Sequence, residues 1–149
     1  MDERLLPLPD KPIPQGEHIL VVDDTPAMAN LIAGYLCEAG YNVEIAHNAE
    51  EAWESLLQKL PLLITVDDFL PGVSGLGLCY RLRDLSDEGN IWSNTIMIAD
   101  NSMPEHLLWG YRQPLISIYL TKPFNPKELL WSVRRILKTS SKGDERYRI

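Results

Sequence analysis

Two pairs of adjacent carboxylates close short apolar runs. Asp23 and Asp24 follow "HILVV", and Asp67 and Asp68 follow "LLITV" inside the stretch "ITVDDFLPGVSG". A carboxylate at the end of a buried strand is costly unless a cation, a proton or a basic partner offsets it. A further run, "LISIYL", leads into "TKPF" and can bring the ammonium of Lys122 to the same place. If the strands carrying the aspartates are neighbours, at least three acidic groups meet at one rim. Hard oxygen ligands with a few waters suit Mg²⁺ better than a transition metal. Three carboxylates, a divalent ion and one lysine make a site for a phosphoryl group.

The elements that position these groups alternate between two periods. "HILVV" (18–22), "LLITV" (62–66), "TIMIA" (95–99) and "LISIYL" (115–120) are apolar runs of strand length, and "YNVEIA" alternates like a strand with one less buried face. Between them lie helical patterns. Thr25-Pro26 reads as N-cap and first turn, followed by Met28, Leu31, Ile32, Tyr35 and Leu36 at helical spacing, with Gly40 as the stop. Asn48 can cap a second helix with an Ala49, Ala52, Trp53, Leu56, Leu57 stripe. A third is expected over Leu76–Leu85, and Asn125-Pro126 opens a last one that buries Leu129, Leu130, Val133, Ile136 and Leu137. Strands alternating with amphipathic helices imply right-handed parallel crossovers and an open α/β sandwich. In such sheets, sites form beyond the carboxyl ends of the strands.

Composition narrows the function classes. With 149 residues, 45% of them hydrophobic, the chain suits one domain with a normal core. A formal net charge of −7 argues against direct nucleic-acid binding. There is no apolar run of membrane-spanning length and no secretory signal, so no membrane role is expected and a cytoplasmic location is. Pro7, Pro9, Pro12 and Pro14 make residues 1–16 an extended lead-in. Residues 139–149 form a polar tail. Cys37 and Cys79 fit no metal or redox spacing and read as free thiols. His18, His47 and His106 form no ligand cluster and are expected at ordinary surface or loop positions.

"VVDD", then "ITVDDFLPGVSG", then "YLTKPF" before the last helix together resemble a response-regulator receiver domain over residues 17–138. The resemblance implies a flavodoxin-like α/β fold, with five parallel strands in the order 2-1-3-4-5 and five helices. It makes Asp67, four residues before the turn proline, the phosphoacceptor rather than Asp68. Asp24 would ligate Mg²⁺ directly, Asp23 mainly through a water, and the Phe69 carbonyl would complete the protein's share of the shell. Lys122 would pair with the phosphoryl oxygens, oriented by a cis peptide bond before Pro123. The implied donor is a phosphohistidine on a histidine kinase or a histidine phosphotransfer protein. Output would pass to a downstream protein partner or a fused domain.

The chain departs from that pattern at the switch. The family's fourth strand usually ends in a hydroxyl residue followed by a small one; here these positions are Ala99 and Asp100. A hydrogen bond to a charged group is worth roughly 1.5–3 kcal/mol, whereas shifting an equilibrium from 1:99 to 99:1 takes about 5.5 kcal/mol. Losing the hydroxyl therefore removes a large part of the switching energy while leaving phosphorylation possible. Tyr119 matches the switch aromatic, or is simply a half-buried strand tyrosine. Asp100 either repels the phosphoryl group and shortens its life or faces solvent. Ser102 and Glu105 fit a capping box opening a helix that Pro114 cuts short. Its Leu107, Leu108, Trp109 and Tyr111 either form a docking patch or cover the sheet.

Two other functions compete with a phosphoacceptor that catalyses only its own phosphorylation and dephosphorylation. One is a degenerate receiver acting as a constitutive interaction module. Ala99 favours it, and the complete set Asp23, Asp24, Asp67 and Lys122 opposes it. The other is a phosphatase resembling the haloacid dehalogenases, which need Asp-x-Asp where this chain has adjacent aspartates.

Overall fold

Burial of the apolar runs on both faces drives the arrangement. The computed structural model describes residues 16–85, 94–100 and 116–139. Along them run β1 (His18–Val22), α1 (Pro26–Glu38), β2 (Asn42–Ala46), α2 (Ala49–Gln58), β3 (Leu63–Asp67), α3 (Gly75–Leu85), β4 (Thr95–Asp100), β5 (Ile118–Lys122) and α4 (Pro126–Thr139). The strands form one parallel sheet in the order β2-β1-β3-β4-β5. The fold class and strand order are those expected. The helix expected between β4 and β5, with Leu107, Leu108, Trp109 and Tyr111, lies outside the described residues, as do residues 1–15 of the lead-in and 140–149 of the tail.

Successive strand residues face opposite sides, and the sheet separates two cores. On one side Ile19, Val21, Leu63, Ile96, Ile98 and Leu120 pack against Ala29, Ile32 and Leu36 of α1 and Leu129, Val133 and Ile136 of α4. On the other, Leu20, Val22, Ile64, Val66 and Met97 meet Trp53 and Leu56 of α2 and Leu78, Cys79 and Leu82 of α3. β1 and β3 are buried throughout, as continuous apolar runs require. β2 alternates between exposed and half-buried along most of its length, as suits a sheet edge.

Helix ends follow the sequence with one exception. Asn48 Oδ1 accepts from Glu51 N at 2.8 Å, and Asn125 Oδ1 accepts from Glu128 N at 2.9 Å. Gly40, at φ +98°, takes the left-handed conformation just beyond α1. Thr25 occupies the N-cap of α1 but makes no side-chain cap hydrogen bond. Its backbone N–H donates instead to Asp23 Oδ1 at 2.9 Å, so the acidic loop caps itself.

Four strands differ at a boundary from those expected: β2 begins at Asn42 rather than Tyr41, β4 continues through Asp100, and β3 and β5 both shift at the site. β3 runs through Asp67, while Leu62 stays outside it, 38% exposed. β5 begins at Ile118 rather than residue 115 and continues through Thr121 and Lys122. A run that is apolar throughout carries no period to mark where pairing starts, so ladder bonds decide it. Ile116 joins the second core instead, and Ser117 N donates to Thr95 O at 2.9 Å.

Gly75 brings α3 hard against the end of β3. A Cβ there would overlap the Asp67 carbonyl oxygen and lie 2.9 Å from Val66 Cγ1. Since a backbone atom cannot swing aside, Gly75→Ala is expected to destabilise the fold by about 1–3 kcal/mol, the usual scale for overpacking. Chemical denaturation would read this, and a loss below about 0.5 kcal/mol would contradict the close approach.

Candidate functional site

Three strand ends build the site, and the end of β4 lies between two of them. Asp23 directly follows β1, Asp67 is the last residue of β3, Asp100 ends β4 and Lys122 ends β5. By strand alternation all four share the face of Ile19, Leu63, Ile98 and Leu120. In sheet order they stand side by side, because β1, β3, β4 and β5 are consecutive neighbours.

Asp23, Asp24 and Asp67 each place a carboxylate oxygen within 4.8 Å of the other two. Lys122 Nζ lies 3.2 Å from Asp67 Oδ1 and 3.9 Å from Asp23 Oδ2. Asp23 and Asp67 are buried, at 1% and 5% exposure, while Asp24 faces solvent. Burial pushes the carboxyls of Asp23 and Asp67 above their ordinary range. The Thr25 N–H pulls Asp23 back down, and Lys122 does the same for Asp67.

The oxygen set fits a hard divalent cation. Asp23 Oδ2 is buried without a hydrogen-bond partner among the described residues, with Lys122 Nζ 3.9 Å away and room for a closer cation to offset its charge. All-oxygen donors on a partly open rim suit Mg²⁺, which keeps several waters. The backbone N–H of Phe69 donates to Asp67 Oδ1 at 3.5 Å. The Phe69 side chain is 54% exposed. The Lys122–Pro123 peptide bond is cis.

Asp68, the second carboxylate of the pair, shares the opposite face of β3 with Val66. It is buried, its N–H donates to Ile98 O, and it is not among the three clustered carboxylates. Ala99 is fully buried at 0% exposure, and no hydroxyl stands at that position. Tyr119 lies on the face of Ala99 and packs, half-buried, against the core of α2 and α3.

His47 is tied to the acidic loop although its position in the sequence suggested only a surface or loop residue. Its Nδ1 lies 3.2 Å from the Asp23 carbonyl oxygen, where the Nδ1–H tautomer donates, and its backbone N–H donates to Glu51 Oε1 at 2.9 Å. No spacing signal marks this contact, because it depends on β1 and β2 being neighbours. His18 is buried at the other end of β1, with Glu44 Oε2 3.7 Å from its Nε2, and burial lowers its pKa. His106 lies outside the described residues. Cys37 is exposed and Cys79 buried, both free. Burial raises the Cys79 thiol to about 12 and leaves it unreactive. Among the described residues, no helix is long and apolar enough to cross a membrane.

The chain is similar to known proteins in sequence and fold. The phosphate regulon transcriptional regulatory protein PhoB of Pseudomonas aeruginosa is 33% identical over 129 residues, which cover 87% of this chain and 55% of that protein. Response regulator Rre1 of Synechocystis is 32% identical over 120 residues, 80% of this chain and 51% of that protein. The chain thus spans about half the length of the curated relatives it matches. Among solved structures, the receiver domain of NtrX from Brucella abortus superposes with a TM-score of 0.72 at 28% identity, covering 82% of this chain and 99% of that one. The signal receiver domain of a histidine kinase from Syntrophus aciditrophicus gives 0.75 at 26% identity, covering 87% and 96%. The family model described as the response regulator receiver domain matches residues 19–134, from the first strand to the last helix. With that match spanning most of its length, the chain belongs to the receiver-domain family of two-component response regulators.

Proposed function

We propose that this domain accepts a phosphoryl group on Asp67 from a phosphohistidine of a histidine kinase or histidine phosphotransfer protein. The observation that carries this reading is the meeting of three carboxylates within 4.8 Å, with the Lys122 ammonium 3.2 Å from one of them. An Asp67 oxygen attacks phosphorus, the phosphorus–nitrogen bond breaks, and an acyl phosphate forms as the imidazole takes up a proton. Lys122, already against Asp67, offsets the negative charge that gathers there. Held by Asp23, Asp24, Asp67 and the Phe69 carbonyl, Mg²⁺ would neutralise charge between the two anions. Output then passes through protein–protein contacts, to a separate partner or a fused domain. The test is intact mass after incubation with Mg²⁺ and a small-molecule phosphodonor. A gain of one phosphoryl group, lost in Asp67→Asn, supports the reading.

A second reading is favoured by Ala99: a degenerate receiver that binds its partner constitutively. Absence of any phosphoryl gain under conditions that load an ordinary receiver selects it.

In the first reading the switch is atypical, because a buried methyl at position 99 cannot bond a phosphoryl oxygen. Ala99→Thr is expected to enlarge the conformational response to phosphorylation, by up to roughly the 1.5–3 kcal/mol of a charged hydrogen bond. Tyr119 fluorescence or its NMR signals, compared before and after loading, would report this. An unchanged response removes the switch argument.

A further inference from the structure

We propose that Asp100 is the general base for hydrolysis of an acyl phosphate on Asp67, which makes the phosphorylated state of this chain short-lived. The inference rests on the phosphoacceptor reading above. β4 runs between the strand of Asp67 and the strand of Lys122. Asp67 pairs with Ile98, and Asp100 lies two residues further along β4 on the same face, opposite Lys122. At about 3.3 Å per residue, Asp100 stands roughly 6–7 Å nearer the open rim than the level of Asp67.

A phosphoryl group carried by Asp67 extends past the strand end towards that level, with its solvent side facing the rim. Asp100 is exposed there. The Lys122 ammonium leans across to Asp67 at 3.2 Å, so cation and base flank the phosphorus from neighbouring strands.

The step balances without a further reagent. A water on the side of phosphorus away from Asp67 attacks, and Asp100 takes its proton as the new phosphorus–oxygen bond forms. The bond from phosphorus to the Asp67 oxygen breaks, returning its electron pair to the carboxylate. Inorganic phosphate leaves, and Asp100 gives the proton to solvent. A positioned base of this kind contributes about 10²–10⁴-fold.

The experiment loads the protein with phosphoramidate and Mg²⁺, removes the donor, and follows the phosphoprotein by intact mass. Wild type, Asp100→Asn, Asp100→Ala and Asp100→Glu are compared. Asp100 is exposed, so these replacements leave the fold in place, and a melting curve for each verifies it. Decay is expected to slow by at least about tenfold in the Asn and Ala variants, the lower side of what a general base supplies, and to return towards wild type with Glu. Loading rates are expected to stay alike, because loading needs no base at this position. Loaded protein that decays equally in all variants overturns the inference and leaves the phosphoacceptor reading standing. Loading and decay rates that shift in proportion also overturn it, since charge alone then accounts for the effect. Wild type that takes up no phosphoryl group overturns both.

Discussion

Asp67→Asn is expected to abolish phosphoryl gain and, in metal-free buffer at neutral pH, to melt several degrees above wild type. The first half follows from chemistry, since an amide is no nucleophile towards phosphorus. The second follows from burial, which is the leading cause holding this carboxyl above its ordinary range while Lys122 only partly restores it. A carboxyl raised in the fold binds its proton more tightly there than in the unfolded chain. Stability therefore falls as pH rises from the unfolded value near ~3.9 through the raised folded value, and stays low above it. Asn carries no such penalty, so the variant's melting temperature changes less across that interval. Asp23 is raised for the same reason and keeps its share of the slope in the variant. Melting curves at pH 5 and 7.5 in EDTA check this. An Asn variant that melts below wild type at both would show that the Lys122 ion pair outweighs desolvation.

Mg²⁺ is expected to relieve the same penalty from outside. At about 100 times its dissociation constant a ligand that binds only the folded state stabilises by ~2.7 kcal/mol. For a domain of this size that is a rise of about 5–10 °C. Asp24→Asn should remove most of the rise while costing the metal-free protein little, because Asp24 is exposed. Chelation should reverse the effect in wild type. Equal shifts in wild type and the Asp24 variant would place the ion elsewhere.

The sequence made the strands and the acidic corner readable for physical reasons. β1 and β3 are continuous apolar runs because both of their faces are covered, and paired carboxylates after such runs are costly unless something offsets their charge. Lys122 was legible from "TKPF" only in combination with the two acidic strand ends, and it lies 3.2 Å from Asp67. What stayed hidden depends on neighbours across the sheet. The contact of His47 with the Asp23 carbonyl arises only once β1 and β2 pair. The standing of Asp100 between Asp67 and Lys122 requires the register of three strands. Thr25 takes the N-cap position its type predicts, but without a side-chain cap bond, while its N–H is held by Asp23.

The two-sided core gives the sheet a second role, as a partition between sender and receiver. A phosphoryl group on Asp67, as proposed, would add charge on the side of α1 and α4, while Tyr119 packs with α2 and α3. One sheet thickness of backbone separates the two compartments, and Ala99 occupies the natural doorway. A methyl there conducts nothing. On the phosphoacceptor reading, partners that contact the strand-end loops would sense an added charge before any partner reading Tyr119.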